Sequence, residues 1–210
     1  GKIATLIGSN GAGKTTILRT ISGLKHPTTG GIRFKGQQIE KLSAHKINAL
    51  GIAMVPEGRR VFPQMTVLEN LLTGAFLRKD KVSIQKDLEE VVFRHFPRLK
   101  ERTKQSAGTL SGGEQQMLAM GRALMSAPEL LLLDEPLLGL SPMMQEVVME
   151  AVVHLKQNSG ITVLLSEQFA RPVLPVIDRG YVVENGMLAL DGSGEELMDN
   201  PEIKSAYFGL

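Results

Sequence analysis

The chain has 210 residues, enough for one domain with a real core, and its 42% hydrophobic and 22% charged residues exclude extensive disorder. It has no cysteine, which excludes disulfides, thiol nucleophiles and cysteine metal sites and agrees with a reducing compartment such as the cytoplasm. The formal net charge of +2 is too small to indicate nucleic-acid binding, and no apolar run approaches the ~20 residues that cross a bilayer.

Strand-like and helix-like patterns alternate along the first quarter of the chain. In order, they are a strand at 2–7, a glycine-rich loop, a helix at 14–24, a half-buried strand at 31–39, a helix at 43–50 opened by Ser43, and a strand at 52–55. Short strands that alternate with helices predict a mainly parallel sheet with helices on both faces. The expected fold class is therefore α/β.

A helical region interrupts this alternation. Thr66 and Glu69 fit a capping box that opens a helix, and residues 67–105 are mostly helical in pattern and more charged than their surroundings. We therefore expect an inserted helical sub-domain at about 67–125, within a single domain that spans 1–210.

The rest of the chain returns to strands and helices. In order, they are a helix from about Gly113 to Met125, a strand at 130–133, a long helix from Ser141-Pro142 to near Gly160, a strand at 161–165, a short helix disturbed by Pro172 and Pro175, and two strands within 181–192. Asn185-Gly186 joins the last two strands and suits the positive backbone angles of a tight hairpin. This predicts a small antiparallel β region beside the parallel sheet.

Residues 8–16, GSNGAGKTT, fit the phosphate-loop pattern G-x-x-x-x-G-K-T. Its glycines expose backbone N–H groups to phosphate oxygens, and the helix that follows adds its positive end. Lys14 is expected to reach the β- and γ-phosphates, Thr15 to place its hydroxyl on Mg²⁺, and Thr16 to bind the α-phosphate. A chance match is the alternative, but the strand before the loop and the helix after it argue against that. The predicted nucleotide-binding residues are Gly8, Ser9, Asn10, Gly11, Ala12, Gly13, Lys14, Thr15 and Thr16.

Two adjacent carboxylates follow the buried strand LLLL. Asp134 is expected to hold Mg²⁺ through water, and Glu135 to polarise the water that attacks the γ-phosphate. Charged residues after a strand are usually only a solvated loop, so a functional interpretation depends on the phosphate loop upstream. The four histidines show no ligand-like spacing and predict no metal site of their own.

Residues 110–116, LSGGEQQ, form a second glycine-rich helix start. Ser111 and Glu114 fit a capping box, which is a purely structural interpretation. It leaves Gly112 and Gly113 unexplained, because two glycines in a first turn weaken a helix unless something must approach the backbone closely. A polyanion at the exposed N–H groups of that turn would need such an approach.

In this order and spacing, the phosphate loop, LSGGEQQ and LLLLDEP resemble the nucleotide-binding subunit of an ATP-binding cassette (ABC) transporter over essentially the whole chain. The resemblance implies a P-loop NTPase core that hydrolyses ATP with Mg²⁺, with Lys14 and Glu135 as catalytic residues. It also implies a head-to-tail dimer with a second ATPase subunit, identical or different, in which each signature motif binds the ATP held by the other subunit. The signature residues are Leu110, Ser111, Gly112, Gly113, Glu114 and Gln115.

Residues at two positions narrow the resemblance to one branch of this family. Glu57, in VPEGRRVFPQMTVLENL, replaces a glutamine that senses Mg²⁺ and water and contacts the membrane subunit, and an acidic residue there can still bind the metal through water. Gln168 corresponds to the switch histidine and, because it does not titrate, is expected to position groups rather than transfer protons. Both residues are similar to those of branched-chain amino acid importer ATPases, whereas related urea importers more often have glutamine at the first position.

The phosphate loop begins within seven residues of Gly1, so we expect that a first strand is missing. Cassette ATPases stack adenine on an aromatic residue upstream of the phosphate loop, and this chain offers none there. The resemblance therefore implies weakened nucleotide affinity for this polypeptide.

The function implied is an ATPase subunit that powers an importer, for branched-chain amino acids or for urea or another small polar solute. Its expected partners are the second ATPase subunit, transmembrane permease subunits that hold it on the inner face of the membrane and, indirectly, a solute-binding protein.

No nucleic acid is expected, and the basic run at 94–104 fits a solvated helical face. An ABC protein acting as a switch on ribosomes or DNA is the rival, but such proteins generally carry two cassettes or a long coiled coil. A GTPase would need an Asn-Lys-x-Asp guanine reader, which the sequence lacks.

Overall fold

The computed structural model describes residues 1–208 of the chain, which form a six-stranded sheet, a two-stranded hairpin and surrounding helices. The strands are β1 (Ile3–Ile7), β2 (Arg33–Phe34), β3 (Gln37–Gln38), β4 (Ile52–Val55), β5 (Leu130–Asp134), β6 (Thr162–Glu167), β7 (Arg179–Glu184) and β8 (Met187–Gly192). The α-helices are α1 (Lys14–Ile21), α2 (Ala44–Ala49), α3 (Val67–Thr73), α4 (Lys81–Asp87), α5 (Phe93–His95), α6 (Pro97–Glu101), α7 (Gly112–Leu124), α8 (Pro142–Ser159), α9 (Gly194–Asp199) and α10 (Pro201–Tyr207). A π-helical turn at Leu88–Val92 joins α4 to α5, and 3₁₀ turns lie at Ala107–Thr109 and Leu174–Val176.

The large sheet has the strand order β4-β5-β6-β1-β7-β8, and all its neighbouring pairs are parallel except β7 and β8. The mainly parallel sheet with a small antiparallel region is thus confirmed. Strands β5, β6 and β1 lie side by side, with Asp134 opposite Ser166 and Glu167 opposite Ile7. Because the carboxyl ends of parallel strands meet at one edge, this topology brings together loops that are far apart in sequence.

Apolar cores lie on both faces of the sheet. Successive residues of β5 alternate between them, since Leu131 and Leu133 belong to the larger cluster and Leu132 to the smaller one. Helices α7 and α8 pack on the larger cluster, whereas α1 and α2 pack on the smaller one. Among residues 1–208, no helix is both long and apolar enough to cross a bilayer.

The region after β4 is helical, and its first helix begins as the sequence indicates. Thr66 and Glu69 form the expected capping box, with the Glu69 N–H donating to Thr66 Oγ1 and the Thr66 N–H donating to Glu69 Oε2. Helix α3 then ends at Gly74, where a Cβ atom would lie only 1.8 Å from the Arg122 carbonyl oxygen of α7. These two helices therefore cross at backbone contact.

Two expectations about the elements are wrong. Residues 31–39 do not form one strand, because Lys35 and Gly36 have φ angles of 51° and 82° and reverse the chain into the hairpin β2–β3. The first helix ends at Ile21 rather than at residue 24. Just beyond it, Gly23 has a φ angle of 74°, which is not helical. The Asn185-Gly186 hairpin is confirmed.

Candidate nucleotide site

The phosphate loop leaves the end of β1 and turns into α1. Gly11 and Gly13 have φ angles of 82° and 112°, which side chains rarely adopt, and Gly13 caps the helix. Gly8 is needed instead for close packing against β7, since a Cβ there would lie 2.3 Å from the Val183 carbonyl oxygen. The loop's curvature and its position against the sheet thus both depend on glycine.

Lys14, the first residue of α1, directs its ammonium group back into the phosphate loop. Its Nζ donates to the carbonyl oxygens of Gly8 at 2.7 Å and Ser9 at 3.1 Å, and it lies 3.2 Å from Glu135 Oε1. The lysine side chain is only 4% exposed. Within residues 1–208, the carbonyl oxygens of the loop therefore solvate this ammonium group, and the Glu135 carboxylate balances its charge.

Asp134 lies beside the phosphate loop at the end of β5. Its Oδ1 accepts hydrogen bonds from the Thr15 hydroxyl and the Ser166 hydroxyl, each at 2.9 Å. Its Oδ2 is buried and has no hydrogen-bond partner among the described residues. A buried carboxylate oxygen in this state indicates a further ligand, such as water or a cation.

These oxygen donors fit Mg²⁺. This ion prefers carboxylate and hydroxyl oxygens and usually keeps several waters and substrate phosphates as its other ligands. Within residues 1–208, no group of three or more histidine, cysteine, aspartate and glutamate side chains is placed to hold a metal alone. Thr15 and Asp134 are thus suited to a metal that arrives with a phosphate.

Glu135 sits in a strained turn directly after Asp134. Its φ angle is 47°, in the left-handed region that L-residues seldom adopt. Its N–H donates to the Ser166 carbonyl oxygen at 3.1 Å and approaches the Ser166 hydroxyl oxygen at 3.2 Å. The turn holds the Glu135 carboxylate at the ammonium group of Lys14.

Two cavities meet at Glu135. The first, of about 340 Å³, is lined by the phosphate loop from Asn10 to Thr16, by Glu57, by Glu135 and by Leu138. The second, of about 260 Å³, is also lined by Glu135 and Leu138 and is bounded by Gln168 and its neighbours. The structure therefore brings Glu57 to the phosphate loop and Gln168 to the other side of Glu135.

The signature segment begins α7. The Ser111–Glu114 capping box is confirmed, with the Glu114 N–H donating to Ser111 Oγ at 3.3 Å and the Ser111 N–H donating to Glu114 Oε2 at 2.9 Å. The hydrogen bond from the Ser111 N–H is the main reason that the pKa of Glu114 is lowered. Among the described residues, none of 110–115 lines the phosphate-loop cavity.

The two signature glycines have neighbours that the sequence did not reveal. A Cβ at Gly112 would lie 2.8 Å from the guanidinium group of Arg59, and one at Gly113 would lie 2.4 Å from Cε of Met144. Side chains of the same molecule, Arg59 and Met144, therefore approach this turn closely. Sequence alone could not pair these residues, because Arg59 and Met144 are far from the motif in sequence.

Glu167 is a further buried carboxyl that the sequence analysis missed. It ends β6 and is 5% exposed, and its Oε1 accepts the Leu137 N–H at 2.9 Å. Burial raises its pKa to about 8; the Leu137 N–H opposes this rise, and the charge of Glu135 adds to it. A glutamate at a strand end is ordinary in sequence, so only its burial distinguishes it.

Comparison with known proteins agrees with this geometry. The ABC transporter family profile matches residues 1–138. The whole chain is 50% identical to the high-affinity branched-chain amino acid transport ATP-binding protein BraG of Pseudomonas aeruginosa and spans 88% of it. It is 36% identical to the probable branched-chain amino acid transport ATP-binding protein LivF of Archaeoglobus fulgidus, over 99% of this chain and 87% of that protein. The crystal structure of a nucleotide-free ATP-binding cassette from an ABC transporter matches with a TM-score of 0.85 at 28% identity, covering 100% of this chain and 88% of that one. The chain therefore belongs to the ABC transporter family, as one of its ATP-binding ATPase cassettes.

Proposed function

We propose that this cassette powers an importer of branched-chain amino acids and that Lys14, Thr15, Asp134 and Glu135 bind and hydrolyse its ATP. The observation that carries the proposal is the meeting of these four side chains, with Lys14 3.2 Å from Glu135 and Thr15 hydrogen-bonded to Asp134 at 2.9 Å. The names of BraG and LivF support the choice of transported solute.

The phosphate loop would bind the triphosphate mainly through its backbone. Its N–H groups and the positive end of α1 surround a cavity of about 340 Å³ lined by residues 10–16. Lys14 would exchange its contacts with the Gly8 and Ser9 carbonyl oxygens for the β- and γ-phosphate oxygens, and Thr16 would bind the α-phosphate. This exchange keeps the ammonium group solvated by oxygen throughout.

Thr15 and Asp134 would hold Mg²⁺, the aspartate through water, and Glu57 would reach the same ion through water from its place in the cavity. Bound Mg²⁺ would neutralise the charge that develops on the phosphate oxygens. Ser166 orients Asp134 by donating to Oδ1, which leaves the buried Oδ2 available.

Glu135 would orient and polarise the attacking water at the junction of the two cavities. The contact of Lys14 with this carboxylate, at 3.2 Å, supports its place beside the phosphate loop. Gln168 would position the water or the γ-phosphate by hydrogen bonding from the second cavity, because its amide cannot act as a base.

The signature turn would bind the ATP of a second ATPase subunit. Ser111 caps α7, and Gly112 and Gly113 begin its first turn; among the described residues, none of the three lines the phosphate-loop cavity. First-turn N–H groups lack partners within a helix and attract anions. Two head-to-tail subunits, identical or different, would each complete the other's site.

The permease subunits would dock at a groove between β4 and the helical region. This groove, of about 360 Å³, is lined in part by Phe62, Thr73 and Arg122, close to the loop that carries Glu57. Phe76 is 87% exposed on the same helical region, which fits contact with an apolar partner. Through this docking the cassette would sit on the inner face of the membrane, and a solute-binding protein would deliver the amino acid.

The Glu135→Gln variant tests the catalytic assignment. With the full-length protein, ATP turnover should fall about 100-fold or more while ATP still binds, because the amide keeps the shape but loses the base. Glu129→Gln is a matched control, since Glu129 precedes the same strand at its far end and is 59% exposed. Unchanged hydrolysis in Glu135→Gln would reject the assignment.

The transported solute needs a separate experiment. ATPase activity of the complex with its permease and solute-binding protein should rise when the binding protein carries leucine, isoleucine or valine. Stimulation by urea instead would favour the urea importer.

A further inference from the structure

Glu167 occupies the centre of the catalytic edge of the sheet. It is the last residue of β6, the strand between β5 and β1, and it lies opposite Ile7 in the register. Its carboxyl group is buried next to the second cavity, together with Glu135 and Gln168. Neither the metal binding nor the water activation proposed for the site involves this carboxyl group.

The hydrogen bonds of Glu167 join three segments. Its Oε1 accepts the Leu137 N–H at 2.9 Å, and both groups are buried. Its backbone oxygen accepts the Gly8 N–H at 3.4 Å, at the start of the phosphate loop. The preceding residue, Ser166, accepts the Glu135 N–H at 3.1 Å. Consecutive residues of β6 thus hold both ends of the turn that carries Glu135.

The turn needs this restraint because Glu135 has a φ angle of 47°. A residue in this region keeps its conformation only where the surrounding structure over-determines it. Without the bond from Leu137, the second half of the turn would lose its buried partner, and the position of Glu135 against Lys14 would be less well defined.

We propose that Glu167 is a positioning residue, whose buried side-chain oxygen fixes the turn from Glu135 to Leu137 and thereby places the Glu135 carboxylate for catalysis. The inference rests on the proposed role of Glu135. Charged groups around Glu167 are Glu135, Lys14 and, at the second cavity, Arg171. Either protonation state of Glu167 retains an oxygen that accepts from Leu137, so the restraint itself does not require ionisation.

Two substitutions separate the reach of the side chain from its carboxyl chemistry. Glu167→Gln keeps an acceptor oxygen at the same reach without a titratable carboxyl group, whereas Glu167→Asp keeps the carboxyl group but is one methylene too short. In the full-length protein with Mg²⁺ and ATP, Glu167→Asp should lose about 10-fold or more in kcat with KM for ATP changed less than about threefold. Glu167→Gln should lose less than about threefold in kcat.

The controls make the outcome decisive. Glu150→Asp and Glu150→Gln, on the exposed face of α8, report the effect of the same changes elsewhere, and thermal unfolding checks that each variant folds. A wild-type kcat in Glu167→Asp would overturn the proposal, as would equal losses in both Glu167 variants or a parallel rise in KM. Glu135→Gln in the same assay keeps the two ideas apart: if that variant hydrolyses ATP normally, it is the proposed function that fails.

Discussion

The carboxyl groups at the end of the sheet differ mainly in the groups that surround them. Asp134 and Glu167 are 2% and 5% exposed, and Glu135, which directly follows Asp134, lines two cavities. Asp134 Oδ1 accepts from two hydroxyl groups, whereas Glu167 Oε1 accepts the Leu137 N–H. Burial raises the pKa of Glu167 to about 8 and the charge of Glu135 adds to the rise, while the Leu137 N–H and the charge of Lys14 oppose it.

This raised pKa makes the stability of the fold depend on pH. The native state keeps a proton on Glu167 between its ordinary pKa of 4.5 and about 8, whereas the unfolded state releases it. The stability that protonated Glu167 contributes is therefore complete below about pH 4.5 and is lost as pH rises through about 8. Each pH unit in this window costs at most about 1.4 kcal/mol.

Glu167→Gln should remove this dependence, because an amide does not titrate. We expect the melting temperature of the variant to rise relative to wild type as pH increases from 5 to 8.5, measured by circular dichroism without nucleotide. Glu150→Gln, at an exposed position, should follow the wild-type curve. Parallel curves for Glu167→Gln and wild type would show that Glu167 titrates normally.

At the scale of elements, the contact between α3 and α7 links two functional segments. Helix α3 follows the loop that carries Glu57, and α7 begins with the signature turn. They meet at Gly74, where a Cβ would lie 1.8 Å from a backbone oxygen of α7. A backbone neighbour cannot rotate away, so only glycine permits this crossing.

Gly74→Ala should therefore destabilise the protein by about 1–3 kcal/mol or more in urea unfolding, the range typical of overpacking. Gly112→Ala is the matched control, since the atoms nearest to its Cβ would be the free end of the Arg59 side chain, 2.8 Å away. That end can swing toward solvent, and alanine favours the helix, so the cost there should stay below about 1 kcal/mol. Equal costs for the two variants would contradict a backbone crossing.

These elements also show what the sequence could and could not provide. Periodicity and caps predicted the parallel sheet, the long helix opened by Pro142 and the Asn185-Gly186 hairpin, because each depends on nearby residues. The hairpin around Lys35-Gly36 was missed, since alternation along 31–39 looks the same in one strand and in two. Helices α9 and α10 were also missed, although Ser193 and Glu196 form a capping box.

For the site, motif spacing located the groups to which catalysis is assigned in our proposal, but not the residues that hold those groups in position. The phosphate loop and the Asp134-Glu135 pair were predicted from sequence and meet in the structure. Ser166, Glu167 and Arg59 were not, because their importance comes from contacts across the sheet and between loops. Such contacts depend on register and strand order, which no local pattern encodes.

At the scale of the whole molecule, the phosphate loop and the signature turn lie apart within residues 1–208. The phosphate loop lines its own cavity, which no signature residue among those described lines, and Ser111 caps the first turn of α7. The head-to-tail dimer proposed here would bring the phosphate loop of each subunit to the signature turn of the other. ATP bound between the two subunits would then hold them together, and its hydrolysis would allow them to separate.

Replacement of Ser111 by arginine tests this arrangement. In a Glu135→Gln background, which should trap ATP, Ser111→Arg should leave ATP binding by the monomer within about threefold but abolish ATP-dependent dimerisation in light scattering. The reason is that the bulky side chain fills the place of the partner's γ-phosphate without touching the phosphate loop, whose cavity contains no signature residue among those described.

The matched control is Ser193→Arg, because Ser193 caps α9 with Glu196 in the same kind of box, at 3.2 Å and 2.7 Å. Both substitutions remove one cap, with a cost of about 1 kcal/mol, so a general loss of stability would impair both variants alike. If Ser193→Arg still dimerises with ATP and Ser111→Arg does not, the defect belongs to the signature turn. A dimer that forms normally with Ser111→Arg would place the second nucleotide contact somewhere other than the start of α7.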